Sequence, residues 1–200
     1  MKNLISTHVI AGLFAFTSLN ALSATIDFSS YPVGTALSGP INGVSFALIG
    51  GNEGGAIPTV GSSFLDPSRG ITNTPNSGEY PTANILQFSF EKSVSDVSFS
   101  FDNESFGSCP GRGCSFISAF DSAGNTLEVI SGADGNVFED LQDYSFISSG
   151  IKTIQFNNGS DEDWWFYVSD ITYTSAVPVP ASAWLFGSAL AGLGFARRKK

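Results

Sequence analysis

Strict alternation of apolar and polar residues is the feature that most constrains this chain. Val97, Phe99 and Phe101 alternate with Ser98, Ser100 and Asp102, which is the period of a strand with one buried face and not that of a helix. The same pattern recurs in Ile85-Leu86-Gln87-Phe88-Ser89-Phe90, in Ile151-Lys152-Thr153-Ile154-Gln155-Phe156, and in Trp165-Phe166-Tyr167-Val168-Ser169-Asp170-Ile171. Turn-forming residues punctuate the runs. Glu91-Lys92-Ser93 ends one strand, and Asp121-Ser122-Ala123-Gly124-Asn125 links Phe116-Ile117-Ser118-Ala119-Phe120 to Thr126-Leu127-Glu128-Val129-Ile130. This spacing predicts about ten short strands and no soluble helix, folded as an all-β, antiparallel β-sandwich of jelly-roll-like type. With 18 Phe to fill a core and 22 Gly to make turns, the composition agrees. Residues 50–81, rich in Gly, Pro, Ser, Thr and Asn, are expected to form long loops at one end of the sandwich.

The two ends follow other rules. Lys2 precedes an apolar stretch over residues 9–19 and then Ala21-Leu22-Ser23-Ala24, the three parts of a secretory signal peptide. Cleavage after Ser23 places small Ala21 at the minus-three position, so residues 1–23 are expected to be removed and 24–176 to form the ectodomain. At the other end Val177-Pro178-Val179-Pro180 is followed by an apolar run over residues 181–196 and then Arg197-Arg198-Lys199-Lys200. As a helix that run is about 24 Å long, short of a bilayer core of about 30 Å but extensible by snorkelling arginines. A C-terminal transmembrane helix with its basic stop-transfer tail on the cytoplasmic side is the expectation, with the acidic domain outside.

Val177-Pro178-Val179-Pro180-Ala181, Trp184-Leu185-Phe186-Gly187 and the closing Arg197-Arg198-Lys199-Lys200 resemble the PEP-CTERM class of sorting signals, and its VPLPA-type variant most. The resemblance covers residues 177–200. It implies recognition by an exosortase, a membrane-embedded cysteine protease that cuts near the proline motif, and a place at the cell surface or in the exopolysaccharide and biofilm matrix. Val179 stands where the best-known form of the motif has Glu. The competing reading is a plain C-terminal membrane anchor. The ectodomain resembles, more loosely, domains found ahead of such signals, through Ile26-Asp27-Phe28, Gly43-Val44-Ser45-Phe46 and Val168-Ser169-Asp170-Ile171-Thr172-Tyr173.

Charge and residue type exclude several chemistries. Between the ends lie all 18 acids but only Arg69, Lys92, Arg112 and Lys152 as bases, so the domain repels nucleic acid and anionic lipid. The single histidine, His8, belongs to the signal peptide, which removes Ser-His-Asp and Cys-His catalysis and histidine-based metal sites. No phosphate-cradling loop or dinucleotide fingerprint is present. Glu79, Glu104, Glu128 and Glu139 are nominal partners for carboxylate-based glycoside hydrolysis, but no motif singles out a pair. The chain is therefore expected to be non-catalytic and to need no cofactor. Calcium is the one candidate ion, through Asp161, Asp163 and Asp170 with Glu162 beside them, or through Asp102, Asn103 and Glu104. Adjacent Trp164 and Trp165 must point to opposite faces of a strand, so one of them is a candidate sugar-stacking platform for a lectin-like module.

Cys109 and Cys114, the two cysteines of the chain, flank Pro110-Gly111-Arg112-Gly113 and in an oxidising compartment pair as a disulfide. That pairing predicts that the secreted protein alkylates at neither cysteine until reduced. Mass spectrometry after labelling with and without reductant checks it, and labelling of both thiols before reduction would contradict it.

Overall fold

In a computed structural model the described residues are 22–50, 57–62, 69–75, 85–103, 116–131, 142–157, 166–175 and Ser188. Ala21–Ala176 forms one compact unit. Its described residues contain a 3₁₀ turn, Phe28–Ser30, and nine strands: β1 Leu22–Ile26, β2 Val44–Ile49, β3 Pro58–Ser62, β4 Arg69–Pro75, β5 Ile85–Asn103, β6 Phe116–Phe120, β7 Thr126–Ser131, β8 Gln142–Asn157 and β9 Phe166–Ser175. Every pairing between them is antiparallel. The all-β, antiparallel expectation therefore describes the fold.

Hydrogen bonding links all nine strands because β5, of 19 residues, and β8, of 16, run through both halves of the structure. Along the first half of β5, Leu86, Phe88 and Phe90 are buried; along the second half, Val97, Phe99 and Phe101 are. The inward positions thus change from even to odd numbers. An extra residue in the strand does this, and Asp96, at φ 50, supplies it. On the partner strand Gly150, at φ 85, sits where the register moves from Val94↔Ile151 to Ser95↔Ser149. A positive φ is cheap for glycine and tolerable for aspartate, which is why these two types stand at the corner.

The consequence is visible in one side chain. The Phe156 ring lies 4.7 Å from Phe88 and 5.9 Å from Phe101. In a straight strand Phe88 and Phe101 would be separated by about 40 Å, so β5 doubles back on itself around Phe156. Two layers result. Layer one comprises β2, the first part of β5, the last part of β8, β6 and β7; layer two comprises the second part of β5, the first part of β8, and β9 with β1 and the β3–β4 hairpin on its far edge. Between them a string of rings fills the core: Phe28 to Phe46 at 5.7 Å, Phe46 to Phe88 at 5.1 Å, and Phe156 to Phe99 at 5.1 Å, mostly edge to face.

Glu91-Lys92-Ser93, expected as a turn between two strands, is the corner at which a single strand leaves layer one. Between Ser89 and Val94 β5 carries three more residues than β8 does between Thr153 and Ile151. The expected loop over 50–81 is also corrected, since β3 and β4 lie within it. Their pairing escapes a hydrophobicity reading because the apolar content is short, with Val60 and Ile71 buried as a cross-strand pair. Gly70 is required there, as a Cβ would run into the Val168 carbonyl and the Tyr167 ring. The hairpin predicted at 121–125 forms as expected. Asp121 Oδ1 accepts from the backbone N–H groups of Ala123 and Asn125 at 2.8 and 2.9 Å, and Oδ2 from Asn125 Nδ2 at 2.9 Å. The expected transmembrane segment, residues 181–196, lies outside the described residues except for Ser188. Among the described residues no helix is long and apolar enough to cross a membrane.

The outer face of layer two carries cross-strand ranks of hydroxyls. Thr25, Thr172, Ser98 and Ser145 stand side by side on β1, β9, β5 and β8, and Ser23, Thr174, Ser95 and Ser149 form the next rank. All are at least partly exposed. β1 begins at Leu22, two residues ahead of the expected mature N-terminus, and Ile26, fully on the mature side, is its core anchor.

Two stability predictions follow from this packing. Phe156→Ala should cost about 3–5 kcal/mol, because its ring holds both layers, as checked by urea denaturation; a loss below about 1 kcal/mol would contradict the role assigned to it. Asp121 is held below its ordinary value of 3.8, chiefly by the Asn125 side chain and then by backbone N–H groups. A depressed carboxyl adds stability that is present above pH 3.8 and lost as pH falls through its lower folded-state value. Asp121→Ala should therefore flatten the acid limb of the stability profile below pH 3.8.

Candidate functional site

The outer face of layer one is the most distinctive surface among the described residues. Because paired residues share a face, the register puts Ala47, Gln87, Gln155, Ser118 and Val129 in one row across five strands, with Ser118 itself buried. A second row runs Ser45, Ser89, Thr153, Phe120 and Thr126. Beyond the first row, Ile49 pairs with Ile85 and Phe116 with Asn157. None of these side chains is charged, in a domain where acids outnumber bases by more than four to one.

The centre of the face is preorganised. Gln155 Nε2 donates to Gln87 Oε1 at 2.9 Å, and Gln87 Nε2 donates to Ser89 Oγ at 3.2 Å. Each amide has two N–H donors and an acceptor oxygen, so this relay leaves Gln155 Oε1 and one N–H on each amide for a ligand. Phe116 flanks the amides with 38% of its surface exposed, and Phe120 is half-buried beside Thr153. Adjacent amide donors and acceptors with aromatic side chains on the same face match a ligand bearing alternating O–H groups and C–H surfaces.

Of the residues singled out from sequence, Trp164, Trp165, Asp161, Asp163, Cys109, Cys114, Val177, Pro178, Val179, Pro180, Arg197, Arg198, Lys199 and Lys200 lie outside the described residues. Register nevertheless says where some of their segments attach. Phe101 pairs with Gln142, Asn103 with Phe166, Phe116 with both Ser131 and Asn157, and Ile49 with Ile85. The points at which segments 51–56, 104–115, 132–141 and 158–165 leave and rejoin the strands thus gather at one end of the sandwich. The corner of β5 and the 121–125 turn mark the other.

Asp170 is described. It is an exposed bulge residue at φ 45, and its carboxyl is raised above its ordinary value first by desolvation and then by Asp27 and Asp143. Among the described residues no group of three His, Cys, Asp or Glu side chains could hold a metal ion. Glu128, a nominal catalytic acid, is structural: its Oε2 accepts from Ile147 N, Ser148 N and Ser148 Oγ at 3.2, 3.2 and 2.9 Å. Glu79, Glu104 and Glu139 lie outside the described residues.

No family model matches the chain, and no curated protein matches it. Among solved structures, a mutant of the family 29 carbohydrate-binding module CBM29-2 is similar with a TM-score of 0.44 and 16% identity, over 77% of this chain and 92% of that one. The module CBM29_1 from Piromyces equi is similar at 0.42 and 9% identity, over 77% and 91%. The K1 cleaved adhesin domain of Lys-gingipain from Porphyromonas gingivalis is similar at 0.35 and 10% identity, over 78% and 99%. No residue role is transferred from any of them.

Sequence reasoning missed Gln87, Gln155, Ser118, Phe116 and Phe120 as a group. The signal lay in the outward positions of strands whose alternation was clear, but only the pairing order brings them together. These positions should be nearly free in stability terms: Gln87→Ala with Gln155→Ala is expected to shift folding stability by under about 1.5 kcal/mol. Thermal denaturation checks this, and collapse of the fold would show that the amide relay is structural.

Proposed function

We propose that this chain is an exported, non-catalytic surface or matrix protein whose jelly-roll-like ectodomain binds a neutral glycan on the outer face of layer one. The observation that carries this reading is the uncharged field around Gln87 and Gln155 on the surface of a strongly acidic domain. A neutral, hydroxyl-rich ligand forfeits no charge pairing there, and its O–H groups complete the hydrogen bonding of the two amides. Ring faces at Phe116 and Phe120 take up the apolar side of a sugar.

The rest of the reading supports delivery to the outside. Residues 1–23 direct secretion. Residues 181–196 hold the chain in the membrane as a helix, with Arg197 to Lys200 inside, until an exosortase acts at Val177-Pro178-Val179-Pro180. The prolines keep that stretch extended and free of helix, so the protease meets bare backbone. The released or transferred domain then associates with exopolysaccharide.

Two measurements test the proposal. Intact mass from the native host should show loss of both terminal segments, with the C-terminal segment retained when Pro178→Ala and Pro180→Ala are combined; an intact C-terminus in both would leave only a plain anchor. Affinity electrophoresis in neutral and anionic polysaccharides should show retardation in a neutral one, weakened at least about tenfold by Gln87→Ala with Gln155→Ala, corresponding to about 1.4 kcal/mol. Retention unchanged by that pair but lost with Trp164→Ala or Trp165→Ala would move the site to the loop end.

A further inference from the structure

We propose that folding of the ectodomain closes its own signal-peptidase site, so that residues 1–23 are removed before β1 docks or not at all. This rests on the export reading of residues 1–23 and adds a control on that step. The cut hydrolyses the Ser23–Ala24 peptide bond, one water adding across it to leave a carboxylate on Ser23 and an ammonium group on Ala24. Leu22, Ser23 and Ala24 all stand in β1, paired with Ser175, Thr174 and Tyr173 of β9. An extended substrate is held through main-chain hydrogen bonds, as an added strand is. Backbone already paired with β9 cannot make those bonds until β1 is stripped from the sheet.

The fastenings of β1 lie on the mature side of that cut. Ile26 is buried and paired with buried Ile171. The Thr25 and Thr172 hydroxyls are joined at 3.0 Å, and Asn42 Nδ2 donates to the Thr25 carbonyl at 3.0 Å. Asn42, at φ 49, is itself held, because the Tyr173 hydroxyl donates to its carbonyl. On the signal side of the cut the holds are slight: Ser175 Oγ donates to the Leu22 carbonyl at 3.3 Å, and the Leu22 side chain is 64% exposed. Removing residues 22 and 23 therefore leaves the docked strand its anchors, while the same anchors keep a peptidase from a folded, uncut chain.

The topology sets the interval for cutting. Among the described strands β1 pairs only with β9, the last of them, and Leu22 and Ser175 are 153 positions apart. At about 5–20 residues per second of synthesis, the partner strand follows the cleavage site by about 8–30 s. During that interval β1 has no strand to dock on, and the Ser23 carbonyl is open to attack. A chain that folds uncut keeps residues 1–23 and stays tethered by its apolar N-terminal stretch.

The test uses the full-length precursor in detergent micelles with purified signal peptidase, reading the chain that begins at Ala24 by intact mass. Three proteins are compared: folded wild type, Ile26→Asn, which releases β1 from the core, and Phe156→Asp, which puts a charge between the layers and unfolds the domain. Near-ultraviolet circular dichroism confirms these states. Asn42→Ala replaces Ile26→Asn if that variant misfolds, and Phe88→Asp is added to Phe156→Asp if the domain still folds. The unfolded chain should be cut after Ser23. Folded wild type should be cut at least about tenfold more slowly, the factor that exposing one buried isoleucine imposes on the opening of β1, and the β1-released variant should recover most of the lost rate. Equal cutting of folded wild type and unfolded chain would overturn the closure, as would a β1-released variant as resistant as wild type; either result leaves the export reading intact. Failure of the unfolded chain to be cut after Ser23 would instead overturn residues 1–23 as a cleavable signal, and the proposal with it.

Discussion

Everything in this fold depends on the doubling of β5 around Phe156. A 19-residue strand cannot stay straight in a domain this small without stranding half of its apolar side chains in water. The extra residue at Asp96 and the positive φ of Gly150 let β5 and its partner β8 turn together, so the ladder continues while the buried face moves from even to odd positions. The corner costs backbone strain at two residues. It is offset by a core in which Phe88, Phe99, Phe101 and Phe156 are all almost fully buried, each such ring contributing on the order of 1.5–3 kcal/mol by burial alone.

The doubling also decides where function can reside. By passing both long strands from one layer to the other, it gathers the strand ends at Ile49, Ile85, Asn103, Phe116, Ser131, Gln142, Asn157 and Phe166 at the opposite end of the sandwich and leaves two broad outer faces. One carries amides, hydroxyls and aromatic rings without charge; the other carries hydroxyl ranks bordered by acids. Neither face is needed for the core, so the composition of the first is free to serve a ligand. Among the described residues no acid stands in the paired rows of the first face, and that motivates the glycan proposal.

Much of the fold was legible in the sequence because period-two alternation is a local signal. Val97, Phe99 and Phe101 point inward as their spacing says, and Asp121 to Asn125 makes its turn because aspartate and asparagine supply their own hydrogen bonds. What stayed hidden was nonlocal. Glu91-Lys92-Ser93 has the composition of a turn, and nothing local distinguishes a turn that reverses a strand from a corner that carries it into another layer. β3 and β4 are short and Gly-rich, and become strands only through pairing with each other and of β4 with β9. The same holds for the candidate site. Gln87 and Gln155 are 68 positions apart, and each alone is an ordinary outward residue of a half-buried strand. Aromatic residues next to each other in sequence, Trp164 and Trp165, attract attention first, whereas the aromatic and amide groups that share a face are assembled by register.

The most direct measurement is a side-chain amide titration. In a nitrogen-labelled ectodomain, the NH₂ resonances of Gln87 and Gln155 should move in a saturable way as a neutral oligosaccharide is added, with Phe116 and Phe120 ring protons following the same isotherm. If those amides stay fixed while the protein demonstrably binds the sugar, the layer-one face is not the site and the central claim fails.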